Sequence, residues 1–415
     1  MEPVDAAAVE AAGRRLSGVV PRTPLQRSER LSARVGGDVW LKREDLQVVR
    51  SYKVRGAYNF LSQLPEERRA AGVVCASAGN HGQGLAYACS ALGVQGRVYV
   101  PRTTPRQKRD RMAALGGDAV TVEVLGDTYD DAARAALADA ARTGATLVPA
   151  FDDARTIAGQ GTVVLEAVEQ LGACPDLVVL PVGGGGLLAG AVAWLGERSP
   201  GTRVVGVEPA GAASMAAALA AGGPVVLDRL DSFVDGAAVR RAGDVTFALV
   251  RDSGAVLLPV AEGRICTEML ELYQSDGIIA EPAGALAAAA LGDVVHPPAG
   301  STTVVVLSGG NHDVSRYAEV VERALVHEGR KHYFLVEFPQ EPGALRAFLD
   351  DVLGPDDDIT LFEYVKRNNR ETGPALVGIE LGRPADLEPL LERMRAAPPS
   401  VERVPPDSPL FRFLL

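Results

Sequence analysis

Two patterns alternate up to about residue 325 of the 415-residue chain. Short, uninterrupted aliphatic runs (Gly72 to Ala76, Arg97 to Pro101, Ala119 to Val124, Leu177 to Val182, Arg203 to Glu208 and Thr302 to Leu307) recur between glycine turns and alanine-rich helical stretches. A strand without polar alternation is covered on both faces, and strands alternating with helices predict a mostly parallel, doubly wound α/β sheet. From Lys331 the pattern changes. The order becomes strand (His332 to Phe338), helix (from Pro342-Gly343 to Leu353), strand (Ile359 to Arg367), strand (Ala375 to Leu381), helix (Ala385 to Ala396) and strand (Leu410 to Leu414). That is βαββαβ, a ferredoxin-like unit with its own aromatic residues. Gly354 to Asp358 reads as a turn and Asn368 to Pro374 as a hairpin connection, and the domain boundary falls near residue 330.

Composition narrows the class. Acidic residues number 53 against 42 basic ones, a net charge of −11, and glycine and proline make up about one residue in six. At ~100–200 residues per domain the length suits two or three domains. A negative chain without a basic block argues against a nucleic-acid partner, which needs clustered Lys and Arg; Arg106 to Arg111 reads as a solvated helix face. Four scattered cysteines make neither a zinc site nor a disulfide framework. No apolar run reaches the ~18 residues of a membrane span, and the acidic N-terminus is unlike a signal peptide. A cytoplasmic protein without a membrane partner is expected.

Three segments place a glycine loop after an apolar strand: Ser77-Ala78-Gly79-Asn80-His81-Gly82, Gly183-Gly184-Gly185-Gly186-Leu187 and Ser308-Gly309-Gly310-Asn311. Ligands of open parallel sheets sit beyond the carboxyl ends of the strands, so the three loops predict one composite crevice. Four glycines before a helix let backbone N–H groups close on an anion, a phosphate above all. Gly184-x-Gly186-x-x-Ala189 also fits a dinucleotide fingerprint, with Glu208 where a ribose-binding acid belongs, and the motif alone leaves both guests open. Arginine carries most of the basic charge, and only five lysines are present: Lys42, Lys53, Lys108, Lys331 and Lys366. Lys53 stands at the entrance of a helix in Ser51-Tyr52-Lys53-Val54-Arg55-Gly56-Ala57. A phosphate cradle plus such a lysine is what pyridoxal phosphate requires, since its phosphate is anchored and its aldehyde forms a Schiff base. Nearby cationic charge, with Arg55 as the candidate, and burial would lower the lysine's pKa.

Together, the Lys53, Asn80, Gly183 to Leu187 and Ser308 motifs resemble the fold-type II (tryptophan synthase β-like) pyridoxal-phosphate enzymes, and among them the threonine dehydratase family. The resemblance implies a two-lobed catalytic region over residues 1–330, its smaller lobe at roughly 48–150 inserted in the larger, and an ACT-like regulatory domain over 331–415. It implies that Lys53 carries the cofactor and acts as base, and that Asn80 meets the cofactor's ring hydroxyl. Gly183, Gly184, Gly185, Gly186 and Leu187 would hold the phosphate, Ser308 the pyridine nitrogen, and Ser77, Ala78, Gly79, Asn80 and His81 the substrate carboxylate. The implied reaction is dehydration and deamination of L-threonine to 2-oxobutanoate and ammonia, the first step of isoleucine synthesis, with L-serine as a second substrate. A homotetramer and an isoleucine or valine effector are implied too.

Competing readings stand beside these. His81 is an acid–base group or fills a hydrogen-bonded slot. Ala78 lacks the second hydroxyl that serine racemases of this fold carry at the matching position. Glu208 to Ser214 aligns with a metal-binding segment of some relatives, with Ser214 where an aspartate would be, and no metal is expected. Asp235 and Glu281 line the crevice or cap the helices that follow. Another enzyme of this fold (a serine dehydratase or a racemase), a nicotinamide-dependent oxidoreductase and an inactive amino-acid sensor are the alternative functions.

Overall fold

The structure, a computed structural model, describes residues 3–366, 370–397, 400–405, 408 and 410–414. It divides into two compact units, one of Met1–Glu262 with Leu272–Asp313, the other of Gly263–Glu271 with Val314–Leu415. The first unit contains β1 (Leu25–Arg27), β2 (Asp38–Arg43), β3 (Val73–Ala76), β4 (Gly96–Val100), β5 (Val120–Val124), β6 (Thr146–Leu147), β7 (Leu177–Pro181), β8 (Arg203–Pro209), β9 (Val256–Val260) and β10 (Thr302–Leu307). They form two sheets, β1-β2-β10-β7-β8-β9 and β5-β4-β3-β6. Every pairing is parallel except β1 with β2.

Each aliphatic run read from the sequence is a strand here, and β7 is buried along its whole length. In-register pairing of Val304 with Val178 and Val305 with Val179 sends the loops after β7 and β10 out of the same edge of the larger sheet. Strand β2 escaped the aliphatic pattern because it ends on Lys42 and Arg43, both buried although β2 lies next to the edge of the sheet. Those charges are tolerable only because they are paired. Among the described residues no helix is long and apolar enough to cross a membrane.

The second unit carries an antiparallel sheet, β12-β13-β11-β14, of β11 (Lys331–Pro339), β12 (Asp358–Tyr364), β13 (Thr372–Glu380) and β14 (Ser400–Val404). Helices Ala344–Val352 and Leu387–Ala396 complete the ferredoxin-like order around a core of Phe334, Phe338, Phe348, Val377 and Leu390. The last strand is misplaced in the sequence reading: β14 is Ser400–Val404, whereas Leu410–Phe413 is a 3-10 turn. Val404 pairs with Tyr333, and Pro405 after it ends the strand; Phe411 lies edge-on against Tyr333 at 5.5 Å. Thr372 to Pro374 belong to β13 rather than to the hairpin turn, because β11 runs on to Pro339 and pairs with them. Asn368 and Asn369 of that turn, and Arg367 at the expected end of β12, lie outside the described residues.

Candidate active site

Lys53 is the first residue of helix Lys53–Ser62. Glycines bring that helix close to its neighbours. A Cβ on Gly84, in helix Asn80–Leu92, would lie 3.0 Å from the Lys53 carbonyl carbon, and one on Gly159, in helix Ala154–Leu171, 2.5 Å from the Arg55 carbonyl oxygen. The lysine Nζ donates to the Ala150 carbonyl at 3.2 Å. Removal from water lowers its amine from 10.5 to about 8, with Glu281 pulling the other way.

Arg55 does not supply the cationic neighbour expected for Lys53. Its guanidinium turns to the other side of the helix and forks onto Glu44 (2.8 Å twice) and Glu166 (2.7 Å twice). Lys42 closes the group on Glu166 at 2.8 Å. The lowered lysine pKa is thus an effect of burial.

The loop Val182–Gly185 leads from β7 into helix Gly186–Arg198. Phe151 packs so closely on Gly184 and Gly186 that a Cβ at either would collide with it, and Gly185 sits at φ +94°. Only glycine takes that shape at no steric penalty. The backbone N–H groups from Gly183 to Leu188 donate to no acceptor among the described residues. A row of free amides at a helix N-terminus is an anion site.

Asn80 opens helix Asn80–Leu92 and ties its own loop to the Ser308–Asn311 loop and to Glu281. Its Nδ2 donates to Glu281 Oε1 at 2.5 Å, and its Oδ1 accepts from Asn311 Nδ2 at 2.6 Å. Glu281 therefore belongs to the crevice and does not cap the helix Pro282–Ala289 with its side chain. Burial raises its carboxyl to about 7. Asp235 pairs with Lys108 at 3.0 Å. Ser308, buried after β10, donates to the Ala283 carbonyl at 3.1 Å. Ser77 accepts from the Gly79 amide at 3.3 Å, Ala78 is half-buried, and a Cβ on Gly79 would meet nothing within 4 Å, so the loop faces open space. His81 is buried with Nε2 donating to the Val148 carbonyl at 2.9 Å. Burial and the neighbouring Lys53 charge lower it to about 4, so it stays neutral and fills a hydrogen-bonded slot.

Glu208 is fully buried and turned to a neighbouring helix. Both its oxygens accept amides of helix Ser214–Ala221, from Met215 at 2.7 Å and Ala216 at 2.9 Å. The acid that the dinucleotide reading needs is thus engaged in holding that helix start. Among the described residues no group of three or more His, Cys, Asp or Glu could hold a metal ion. Ala150, Phe151 and Gln160 lie outside every motif that marks the site in the sequence, whereas Asn311 belongs to the third glycine loop. The first two follow a two-residue strand with no apolar run to mark it, whereas Gln160 Nε2 donates to the same Ala150 carbonyl as Lys53.

An amine lowered by burial, a cradle of unpaired amides packed too closely on its neighbours for any Cβ, and an open loop fit pyridoxal phosphate. Comparison with known proteins agrees. Residues 16–309 match the pyridoxal-phosphate dependent enzyme family, and 322–414 the C-terminal regulatory domain of threonine dehydratase. The biosynthetic L-threonine dehydratase of Mycobacterium bovis is 65% identical over 409 residues, 98% of this chain and 95% of that protein. The Corynebacterium glutamicum protein of the same description is 56% identical over 418 residues, covering 100% and 96%. Among solved structures, processed threonine deaminase isoform 2 of Solanum lycopersicum superposes with a TM-score of 0.72 at 40% identity, covering 77% of this chain and 87% of that one. Maize serine racemase, at the same TM-score, is 30% identical and covers 79% and 99%. The regulatory-domain match and the identity over nearly the whole length separate the two, and the chain belongs to the biosynthetic L-threonine dehydratase family of pyridoxal-phosphate-dependent enzymes.

Proposed function

We propose that the chain dehydrates and deaminates L-threonine to 2-oxobutanoate and ammonia, the entry to isoleucine synthesis, with Lys53 as base. One observation carries the residue assignment: a buried amine lowered to about 8 beside a cradle of unpaired amides in a single crevice. A base must be neutral. At pH 7 that would cost about 5 kcal/mol for an ordinary lysine and costs about 1 kcal/mol for this one, at ~1.36 kcal/mol per unit.

Gly183 to Leu187 hold the phosphate through their backbone amides, Asn80 the ring hydroxyl, and Ser308 the ring nitrogen. Bound there, pyridoxal phosphate supplies the electron sink that acidifies the Cα–H of the amino acid. A serine at the ring nitrogen does not enforce its protonation as an aspartate would, which favours elimination over transamination. Ser77 to His81 seat the substrate carboxylate. Lys53 takes the Cα proton, the β-hydroxyl leaves as water, and a second water replaces nitrogen as the released enamine becomes the oxoacid. Ala78 has no hydroxyl to deliver a proton to the opposite face, so racemisation is disfavoured. L-Serine lacks only one methyl, a difference worth ~1–3 kcal/mol, and is a second substrate.

The regulatory domain, over about 331–415, senses isoleucine or valine. Catalysis resides in residues 1–330, with a smaller lobe at roughly 48–150, and the working form is a cytoplasmic homotetramer. The test is visible absorbance with turnover. Purified enzyme should be yellow and release oxoacid from threonine, and Lys53→Ala should lose both the band and at least 1,000-fold of the rate (~4 kcal/mol). A colourless wild type, or a Lys53→Ala enzyme that still turns over, would refute the assignment.

A further inference from the structure

The phosphate cradle has a support that neither the glycine motif nor the family comparison singles out. Thr246, fully buried in helix Asp244–Arg251, donates its hydroxyl to the Gly184 carbonyl at 2.7 Å. The Gly243 N–H approaches the same oxygen at 3.4 Å. Across a planar trans peptide the carbonyl oxygen and the following N–H point in opposite directions. Holding the Gly184 oxygen against Thr246 therefore turns the Gly185 N–H to the other side of the loop, where it meets no protein acceptor among the described residues. Gly185, at φ +94°, is the residue whose backbone permits that orientation.

Helix Asp244–Arg251 has an N-terminus of its own beside the loop, and it is closed. Asp152 Oδ2 accepts the Asp244 amide at 3.0 Å, and Asp152 Oδ1 accepts the Val245 and Thr246 amides at 2.9 and 3.2 Å. Of the two helix starts at this loop, one is filled by the chain's own carboxylate and the other, at Gly186, keeps its amides free. The same Asp152 bonds hold Thr246 in place.

We infer that Thr246 is a positioning residue for the phosphate: its hydroxyl fixes the Gly184–Gly185 peptide so that the Gly185 N–H faces the anion, and Asp152 anchors Thr246. The inference rests on the reading of Gly183 to Leu187 as the phosphate site. Thr246 touches neither substrate nor the reacting atoms, so its removal lowers cofactor affinity through the phosphate alone.

The test compares two ligands that differ only in that group. Holoenzymes of wild type, Thr246→Val and Thr246→Ser are stripped of cofactor and re-titrated with pyridoxal 5′-phosphate and with pyridoxal, following visible absorbance. Thr246→Val is isosteric and lacks the hydroxyl; it should bind pyridoxal phosphate about tenfold more weakly, about 1.4 kcal/mol. Its affinity for pyridoxal should stay within twofold of wild type, and Thr246→Ser should restore phosphate-dependent affinity. Thr246→Ala, which removes the hydroxyl without adding bulk, is read by the same ratio where the valine variant does not fold. Equal losses for both ligands, or unchanged affinity for pyridoxal phosphate, would overturn the role of Thr246. A wild type that prefers pyridoxal phosphate no more than pyridoxal would overturn the phosphate site itself.

Discussion

Lys53 and Arg55 stand two residues apart at the start of one helix, and their surroundings decide their chemistry. Lys53 faces one neutral carbonyl at 3.2 Å, so burial favours its uncharged form. Arg55, with no exposure, meets two carboxylates and is fixed as a cation. His81 shows the same rule in an imidazole. Its folded pKa of about 4 lies below the ordinary 6.5, because burial and the Lys53 charge disfavour a second proton. The unfolded chain binds that proton more readily, so the stabilisation is complete above pH 6.5 and is lost as pH falls toward 4, up to about 3 kcal/mol from this residue. The fall in melting temperature of cofactor-free protein between pH 7 and pH 4.5 should therefore be smaller in His81→Gln than in wild type. Equal falls would show that His81 is not the group responsible.

Glycine determines how the elements around the site pack. Helix Lys53–Ser62 is gripped by helix Asn80–Leu92 at Gly84 and by helix Ala154–Leu171 at Gly159, in both places against main-chain atoms that cannot swing away. Gly159→Ala should push against the Arg55 carbonyl and shift the turn that carries Lys53. We expect a loss of about 1–3 kcal/mol in stability and a larger fractional loss of threonine turnover, read by thermal melting and oxoacid release. A variant that keeps wild-type turnover would mean that the lysine turn moves independently of this crossing.

The aliphatic strands and the glycine loops were legible because both are local: a buried strand needs a run of Val and Leu, and a strand-to-helix loop over an anion needs residues without Cβ. Strand β2 was not legible, since the carboxylate that makes Lys42 tolerable lies far away in sequence, at Glu166, and the one that makes Arg43 tolerable, Asp45, stands past the end of the strand. Glu281 reached Asn80 across 201 residues, and no pattern near Glu281 separated that from helix capping. At the tail, the apolar residues of Leu410 to Leu414 suggested a strand, and only the pairing of Ser400–Val404 with β11 reveals which segment fills the edge.

On the scale of the whole molecule, the second unit takes residues from two stretches of chain, since helix Glu262–Asp276 begins at the junction and contributes Gly263–Glu271 to it. Within that unit Thr267 donates to Glu328 at 3.2 Å, and Val326 packs on the cluster of Tyr333, Val404 and Phe411. Ending the chain at residue 330 should thus leave threonine turnover, abolish the isoleucine response and lower the melting temperature, because Val326 loses its cover. Persistent inhibition by isoleucine in the shortened enzyme would place the effector site elsewhere.

The quartet of Lys42, Glu44, Arg55 and Glu166 has a further consequence. Two cations and two carboxylates sum to zero, and three of the four side chains are fully shielded from solvent. Dissolved ions screen charges that they can approach, so molar salt weakens the surface pairs of this protein and leaves the quartet almost untouched. The cost of stripping water from such charges also falls as temperature rises. The helix that presents Lys53 is therefore tethered by an attachment indifferent to brine and relatively firmer in heat.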